Sequence, residues 1–183
     1  MSKEISAQVF TIGHSTRGFD EVLSMLRGNG VTELVDVRSF PSSRKFPQWN
    51  KDSIEAAMPA DVEYRWIRDL GGRRHTPAGV ASPNGAWRVK AFRAYADYTA
   101  TESFRSGFAE LLQVANSSVP AIMCSEAVPW RCHRRLITDA MLLEGAQMFH
   151  IMSASSTKRA EMTTFAVVKD GQITYPETDE ESL

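Results

Sequence analysis

The chain has 183 residues, 43% hydrophobic and 23% charged, a composition that supports one well-cored domain and is short for two. Twenty-one basic residues against 22 acidic ones leave a formal net charge of -1, which excludes a bulk polycation for nucleic acid and a disordered polyanion alike. No run approaches the roughly 20 apolar residues that span a bilayer, and MSKEISAQVFTIGHS lacks the apolar stretch and cleavage site of a secretory leader, so no membrane partner and a cytoplasmic location are expected.

In chain order, AQVFTIG is a short β-rich run closed by Gly13. FDEVLSMLRGNG then sets Phe19, Val22, Leu23 and Leu26 at helical spacing, with Asp20 and Glu21 in the first turn and glycine at the exit. VTELVDVR reads as a buried strand, and SFPSSRKFPQWN, rich in Ser and Pro, as a long loop. NKDSIEAAM predicts a short helix with Asp52 and Glu55 placed like a capping box, and VEYRWI a third strand. After a second long loop, RDLGGRRHTPAGVASPNGAW, helices are expected over about Lys90–Tyr98 and about Glu102–Ala115, the latter with a stripe of Phe104, Phe108, Leu111 and Leu112. VPAIMC is the fourth strand, Arg131–Glu144 a helix entered near Pro129, and AQMFHI the fifth strand. TTFAVVKDGQITY predicts a β-hairpin around Asp170 and Gly171 before the acidic end, Glu177, Asp179, Glu180 and Glu181.

Alternating strand and helix imply one α/β domain over residues 1–183: a mostly parallel sheet with helices on both faces, a Rossmann-like three-layer arrangement. In such a sheet the crevice lies beyond the carboxyl ends of the strands. Gly13, His14 and Ser15 follow strand one, and Asp36, Arg38 and Ser39 end strand two. Leu70, Gly71, Gly72 and Arg73 follow strand three, and Cys124, Ser125 and Glu126 follow strand four. All four groups should share one rim. Local charge agrees: Arg38 to Arg93 carries eleven Lys plus Arg against five Asp plus Glu, and fifteen of the 21 basic residues are arginine, whose planar fork suits phosphates and carboxylates.

The stretch IMCSEAVPWRCHRRLI is the richest in chemistry. A helix starting near Pro129 would put Cys132 and His133 in its first turn, where unpaired N–H groups and the dipole favour a thiolate or a bound anion. Flanked by Arg131, His133 and Arg134, Cys132 is a candidate nucleophile, Cys124 its resolving partner or a second candidate, and Glu126 a general acid or base if partly buried. Zinc would need about four ligands. Cys124, Cys132 and His133 with His14 or Glu126 could supply them, but there is no CxxC pair, and neighbouring Cys132 and His133 would point apart on a helix, so no obligatory cofactor is predicted. A cysteine-phosphatase loop would place five residues between nucleophile and arginine, whereas six separate Cys124 from Arg131. In the plainest alternative Cys124 is a buried strand-end residue and Arg134 and Arg135 lie on a solvated or salt-bridged face.

The other rim groups are read with the same alternatives in view. GHST could offer backbone N–H groups and a histidine to an anion, or be an ordinary glycine turn. Asp36 and Arg38 could pair only loosely across two strand positions, with Asp36 free to orient His14 or an arginine. Arg73, Arg74 and His75 sit in a flexible loop suited to anion contact or to solvent. Phe46, Trp49, Tyr64, Trp66, Trp87 and Trp130 lie near arginines in the sequence and could stack bases, although several must be core.

Taken together, TIGHS, DVRSFPSSRKFPQWN, LGG, FRAYADY and CSEAVPWRCHR resemble the domain of unknown function 488 family, over residues 9–151, leaving 152–183 as an extension. The resemblance implies a small α/β fold and a signature mapping onto Gly13, His14, Ser15, Asp36, Arg38, Pro41, Ser43, Arg44, Leu70, Gly71, Gly72, Cys124, Glu126, Cys132, His133 and Arg134, but no reaction. The leading expectation is an enzyme acting on a phosphorylated, nucleotide or nucleic-acid substrate. Cys124, Glu126, Cys132 and His133 carry the chemistry in that reading. His14, Ser15, Asp36, Arg38, Arg44, Gly71, Gly72, Arg73, Arg131 and Arg134 hold the anionic partner. The alternatives are a noncatalytic binding module for nucleic acid or nucleotide and, more weakly, a thiol redox or metal-binding protein. The sequence carries no signal for oligomeric state.

Overall fold

The computed structural model describes residues 7–178, so Asp179, Glu180 and Glu181 of the acidic end and the first six residues lie outside the described residues. Five parallel strands, β1 (Gln8–Gly13), β2 (Glu33–Asp36), β3 (Glu63–Trp66), β4 (Pro120–Cys124) and β5 (Gln147–Ser153), form the sheet. A sixth strand, β6 (Ser156–Arg159), adds antiparallel to β5, giving the order β3-β2-β4-β1-β5-β6. The three central strands β1, β2 and β4 are almost wholly buried, as their apolar, β-branched sequences require when helices cover both faces.

Helices α1 (Phe19–Gly28) and α2 (Lys51–Ala57) cover one face. There Val22, Met25, Leu26 and Ile54 pack with Phe10, Ile12, Leu34, Trp49, Ala121 and Met123. Helices α3 (Lys90–Tyr98), α4 (Glu102–Ser117) and α5 (Arg134–Leu143) cover the other. Tyr95, Phe104, Leu111, Leu136, Ile137 and Met141 pack there with Val9, Val35, Ile122 and Met148. Each fully buried aliphatic or aromatic side chain contributes about 1.5–3 kcal/mol, so these two layers dominate the stability. Thr101 caps α4 by accepting the Phe104 N–H at 3.3 Å, a contact worth about 1 kcal/mol.

Strands β1 and β4 are neighbours, with Gly13 beside Cys124, yet β1 runs into α1 on one face while β4 leads to α5 on the other. Connections that diverge to opposite faces from adjacent strand ends open a crevice between them. It opens where GHS and CSE begin.

Four local expectations need correction. The capping box at Asp52 and Glu55 does not form: Asn50 precedes the helix, no side chain caps it, and Glu55 instead accepts from Lys51. The helix expected from Arg131 starts at Arg134; Pro129–Arg131 form a separate 3-10 turn and Cys132 is extended, φ -137° and ψ 153°. Residues 156–159 add an edge strand that periodicity could not reveal, because STKR is polar and exposed; charged residues on such an edge discourage further pairing. α4 also runs to Ser117, two residues past the expected end. The expected hairpin forms, β7 (Val167–Lys169) and β8 (Gln172–Thr174), with Asp170 at φ 53° and Gly171 at φ 73°, both positive as a two-residue type I′ turn demands. Among the described residues no helix is long and apolar enough to cross a membrane.

Candidate active site

An 840 Å³ cavity opens at the crevice, and its wall takes residues from all four rim groups: His14 and Ser15, Arg38 and Ser39, Gly72 and Arg73, Cys124, Ser125 and Glu126. Cys132, His133, Arg131 and Arg44 complete it among the expected residues. Three expected residues do not reach it. Asp36 lies fully buried below Arg38, Gly71 packs against Ser39, and Arg134 lies beneath the sulfurs.

The first arm follows β1. The His14 N–H donates to the Cys124 carbonyl and the Ser15 N–H to the Ser125 carbonyl, both at 3.0 Å, continuing the β1–β4 ladder past the strand ends. Ser15 sits at φ 48°, a left-handed conformation that costs a non-glycine residue about 1–3 kcal/mol. That kink brings the Ser15 carbonyl to 2.9 Å from His14 Nδ1, and since a carbonyl only accepts, Nδ1 carries the proton and Nε2 the lone pair. His14 Nε2 meets Arg38 Nη1 at 3.4 Å, and the ring stacks on Trp49 at 5.0 Å. Burial, opposed by the Ser15 carbonyl and assisted by the Arg38 charge, lowers His14 from 6.5 to about 4. At neutral pH it is an uncharged acceptor.

The pairing of Asp36 with Arg38 is tight rather than loose. Past the end of β2 the Arg38 side chain folds back, donating from Nε to Asp36 Oδ1 at 2.9 Å and from Nη2 to Oδ2 at 2.6 Å, with Nη2 also on the Trp49 carbonyl at 2.7 Å. Tyr64 Oη donates to Asp36 Oδ2 at 2.7 Å, and its phenol is held far above its ordinary pKa by burial and by that carboxylate. Asp36 therefore orients an arginine, which in turn donates to His14. Arg38 is fixed scaffolding more than a free anion clamp.

The second arm is the cysteine stretch. Glu126 N–H donates to Cys124 Sγ at 3.3 Å, and the Glu126 carbonyl accepts from Arg134 Nη2 at 2.7 Å. The Glu126 backbone can lie there because residue 13 is glycine: a Cβ on Gly13 would sit 1.8 Å from the Glu126 oxygen. Its carboxylate, by contrast, is exposed. The partial burial required of a general acid or base is absent.

Cys124 and Cys132 are both free and buried, and their sulfurs are in contact at 2.6 Å. Extended Cys132 turns its sulfur back toward α5, where it accepts the Arg134 backbone N–H at 3.5 Å. The helix-end argument thus holds with Cys132 just ahead of the helix instead of inside it. His133 Nε2 lies 2.7 Å from the Val37 carbonyl, so Nε2 carries the proton and Nδ1, 3.4 Å from Cys132 Sγ, is free to accept one. Burial lowers His133, keeping it neutral, and the close approach of Gly72 leaves its ring no freedom: a Cβ on Gly72 would meet Nδ1 at 2.5 Å. Burial works against the Cys132 thiolate, but the proton shared by Cys124, the Arg134 charge and the Arg134 N–H groups outweigh it and lower the thiol to about 7. Cys124 moves the opposite way, raised by burial and by Cys132.

Arg134 is neither solvated nor salt-bridged, the reverse of its plain surface reading. It is 1% exposed and donates to the Thr11 hydroxyl at 3.0 Å and the Glu126 carbonyl, with Nε unpartnered. The Thr11 hydroxyl is also hydrogen-bonded to His150 Nδ1 at 2.6 Å. A buried guanidinium without a carboxylate needs an anion nearby. Cys132 supplies it.

Thr11 and His150 were not singled out from the sequence, and Trp49 was named only among the aromatics that could stack bases. Thr11 and His150 had one available signal, polar residues at buried positions of otherwise apolar strands; nothing local marks Trp49 as the plate under His14. Trp49 and Trp87 are core, while Trp130 is 52% and Phe40 64% exposed, with Arg73 lying over the Phe40 ring at 5.3 Å. Among the described residues no three His, Cys, Asp or Glu side chains converge as a metal site; His14 Nε2 and His133 Nε2 are turned to Arg38 and Val37.

The pattern defining the domain of unknown function DUF488 matches residues 18–141, more than half of the chain. The chain belongs to the DUF488 family. The matched span contains the Asp36–Arg38 pair and both cysteines, and starts just after the Gly13–His14–Ser15 turn that the geometry adds to them. No curated protein and no solved structure matches the chain.

Proposed function

We propose that this DUF488 protein is an enzyme acting on a phosphorylated, nucleotide or nucleic-acid substrate, with Cys132 as nucleophile and His133 as its base. The observation that carries the reading is the order Val37 carbonyl, His133 Nε2–H, His133 Nδ1, Cys132 Sγ, an orienter, base and nucleophile in sequence at the cavity wall. The Cys132 proton passes to His133 Nδ1, the thiolate attacks the electrophilic centre, and the departing group takes the proton back from His133. Water, deprotonated by His133, then breaks the bond to sulfur and restores the thiolate. Arg44, Arg73 and Arg131 are exposed at the rim and pair with no carboxylate among the described residues, which suits them to an anionic substrate. Two buried free thiols fit a reducing, cytoplasmic setting.

The exposed Phe40 and Trp130 beside those arginines favour a second reading, a noncatalytic module that stacks bases and holds phosphates. One comparison separates the two. Wild type, Cys132→Ala and Glu126→Gln are screened for turnover of phosphoesters and nucleotides, alongside binding of a single-stranded oligonucleotide at increasing salt. Turnover lost in Cys132→Ala with the fold intact supports the enzyme. Absence of turnover, with oligonucleotide binding that falls steeply with salt and ignores both substitutions, supports the module.

A further inference from the structure

Cys124 has no step in the proposed reaction, yet it is built as carefully as Cys132. It is 2% exposed at the end of β4, its sulfur receives the Glu126 N–H, and it touches Cys132 Sγ at 2.6 Å. Reaching a sulfur–sulfur bond of about 2.05 Å asks for about half an ångström of side-chain movement. Cys132 lies between the 3-10 turn and α5, and rotation of its side chain is enough to provide it. Both sulfurs border the cavity, which is wide enough for a small oxidant.

We propose that Cys132 and Cys124 form a reversible disulfide when the protein meets a hydroperoxide, closing the site by consuming its nucleophile. The inference rests on the proposed role of Cys132 only for its consequence, loss of turnover; the bond itself follows from the pair. The Cys132 thiolate attacks the peroxide, the O–O bond breaks, and with one proton the products are Cys132 sulfenic acid and water, or an alcohol from an organic hydroperoxide. Cys124 sulfur then attacks Cys132 sulfur and gives up its proton; the S–O bond breaks and a second water leaves. Two thiols have been oxidised and one peroxide reduced. The asymmetry of the pair fits this division of labour, since the cationic Arg134 side favours the attacking thiolate and the raised thiol of Cys124 keeps its proton until needed.

The same asymmetry makes the bond reversible. The buried Arg134 charge favours the Cys132 thiolate, and the disulfide takes that anion away from the cation. Stabilising the reduced form makes a disulfide a stronger oxidant, so an ordinary dithiol should reopen it.

The test uses the full chain with equimolar hydrogen peroxide at pH 7, followed by alkylation and intact mass. Wild type should lose both alkylatable thiols together, with a mass lower by two hydrogens, and dithiothreitol should restore both. Cys124→Ser should stop at a sulfenic acid on Cys132 that dimedone captures, and Cys132→Ser should leave Cys124 unreacted. Sulfinic or sulfonic acid at Cys132 with Cys124 still alkylatable would overturn the proposal, as would two intact thiols in the folded wild type. Because the readout is mass, it stands or fails separately from any turnover, and a chain with no catalytic activity can still give the disulfide.

Discussion

Replacing Arg134 by Met removes the buried cation under Cys132 while keeping the backbone N–H that the sulfur accepts. In the native chain the Cys132 thiol at about 7 is half ionised at pH 7; were the whole shift lost, a return to the ordinary value of 9.0 would leave it about one-hundredth ionised, so a fifty-fold loss of thiolate is the upper bound. The alkylation rate falls less than that. A thiolate with a pKa higher by about two units is intrinsically about tenfold more nucleophilic for a Brønsted slope of about 0.5, so the net drop at pH 7 is at most about fivefold. The pH midpoint is therefore the sharper readout. Iodoacetamide labelling of Cys132, followed by peptide mass spectrometry from pH 5 to 10, should show a midpoint near 7 in wild type and a higher one in Arg134→Met, with the Cys124 hydrogen bond and the Arg134 backbone N–H still acting on the thiol. Arg134→Lys, which keeps the charge but not the fork that reaches both Thr11 and the Glu126 carbonyl, should fall between them. An unchanged midpoint in a folded Arg134→Met protein would refute the claim that this arginine is the thiolate's counter-ion.

Acid should weaken the fold through His14. Its folded value is lowered to about 4, so the unfolded chain takes up a proton near 6.5 while the folded chain does not. The contribution, about 3 kcal/mol, is complete above pH 6.5 and is lost as pH falls toward 4, with His150 acting in the same direction. Urea midpoints at pH 7 and 4.5 should converge in His14→Asn relative to wild type; an identical pH dependence in the variant would count against this. Gly13→Ala should cost well over the roughly 1–3 kcal/mol of ordinary overpacking, because its Cβ would meet backbone, the Glu126 carbonyl, at 1.8 Å. Gly18→Ala, with nothing within 4 Å, should be nearly neutral, and similar losses of Tm in both would refute the contact. Gly72→Ala should push on His133 at 2.5 Å and slow Cys132 alkylation at pH 7, whereas wild-type labelling would show that His133 does not set the reactivity.

How much of this is readable without coordinates depends on the range of the physics involved. Strand and helix periodicity is local, so the sheet, five helices and the hairpin at Asp170 and Gly171 were legible, and the rule about carboxyl strand ends then brought four sequence-distant groups to one cavity. The start of α5 was not, because proline at 129 suits a 3-10 turn as well as an α-helix, and the choice is made by Cys132 turning its sulfur inward. Arg134 looked like surface for the same reason that any arginine does. Its burial follows from Thr11 on β1 and the Glu126 carbonyl above it, partners more than 120 and exactly eight positions away whose convergence no window of sequence contains. β6 was hidden because an edge strand needs no buried face.

The two arms of the site are one mechanical unit, and the joint is a missing side chain. Without a Cβ at residue 13, the Glu126 peptide can cross the end of β1, and that single peptide does two things at once. Its N–H holds Cys124 Sγ and its carbonyl holds Arg134 Nη2. From there one chain of contacts runs through Arg134 to the Cys132 sulfur. The other runs back along the β1–β4 ladder, where the Cys124 and Ser125 carbonyls seat His14 and Ser15, and on through Arg38 to Asp36. His14 and Cys132 touch no common side chain among these contacts, so their relative position is set by backbone. The proposed anion site would gain from this, since backbone can hold the geometry while Arg44, Arg73 and Arg131 stand at the rim with no carboxylate partner among the described residues.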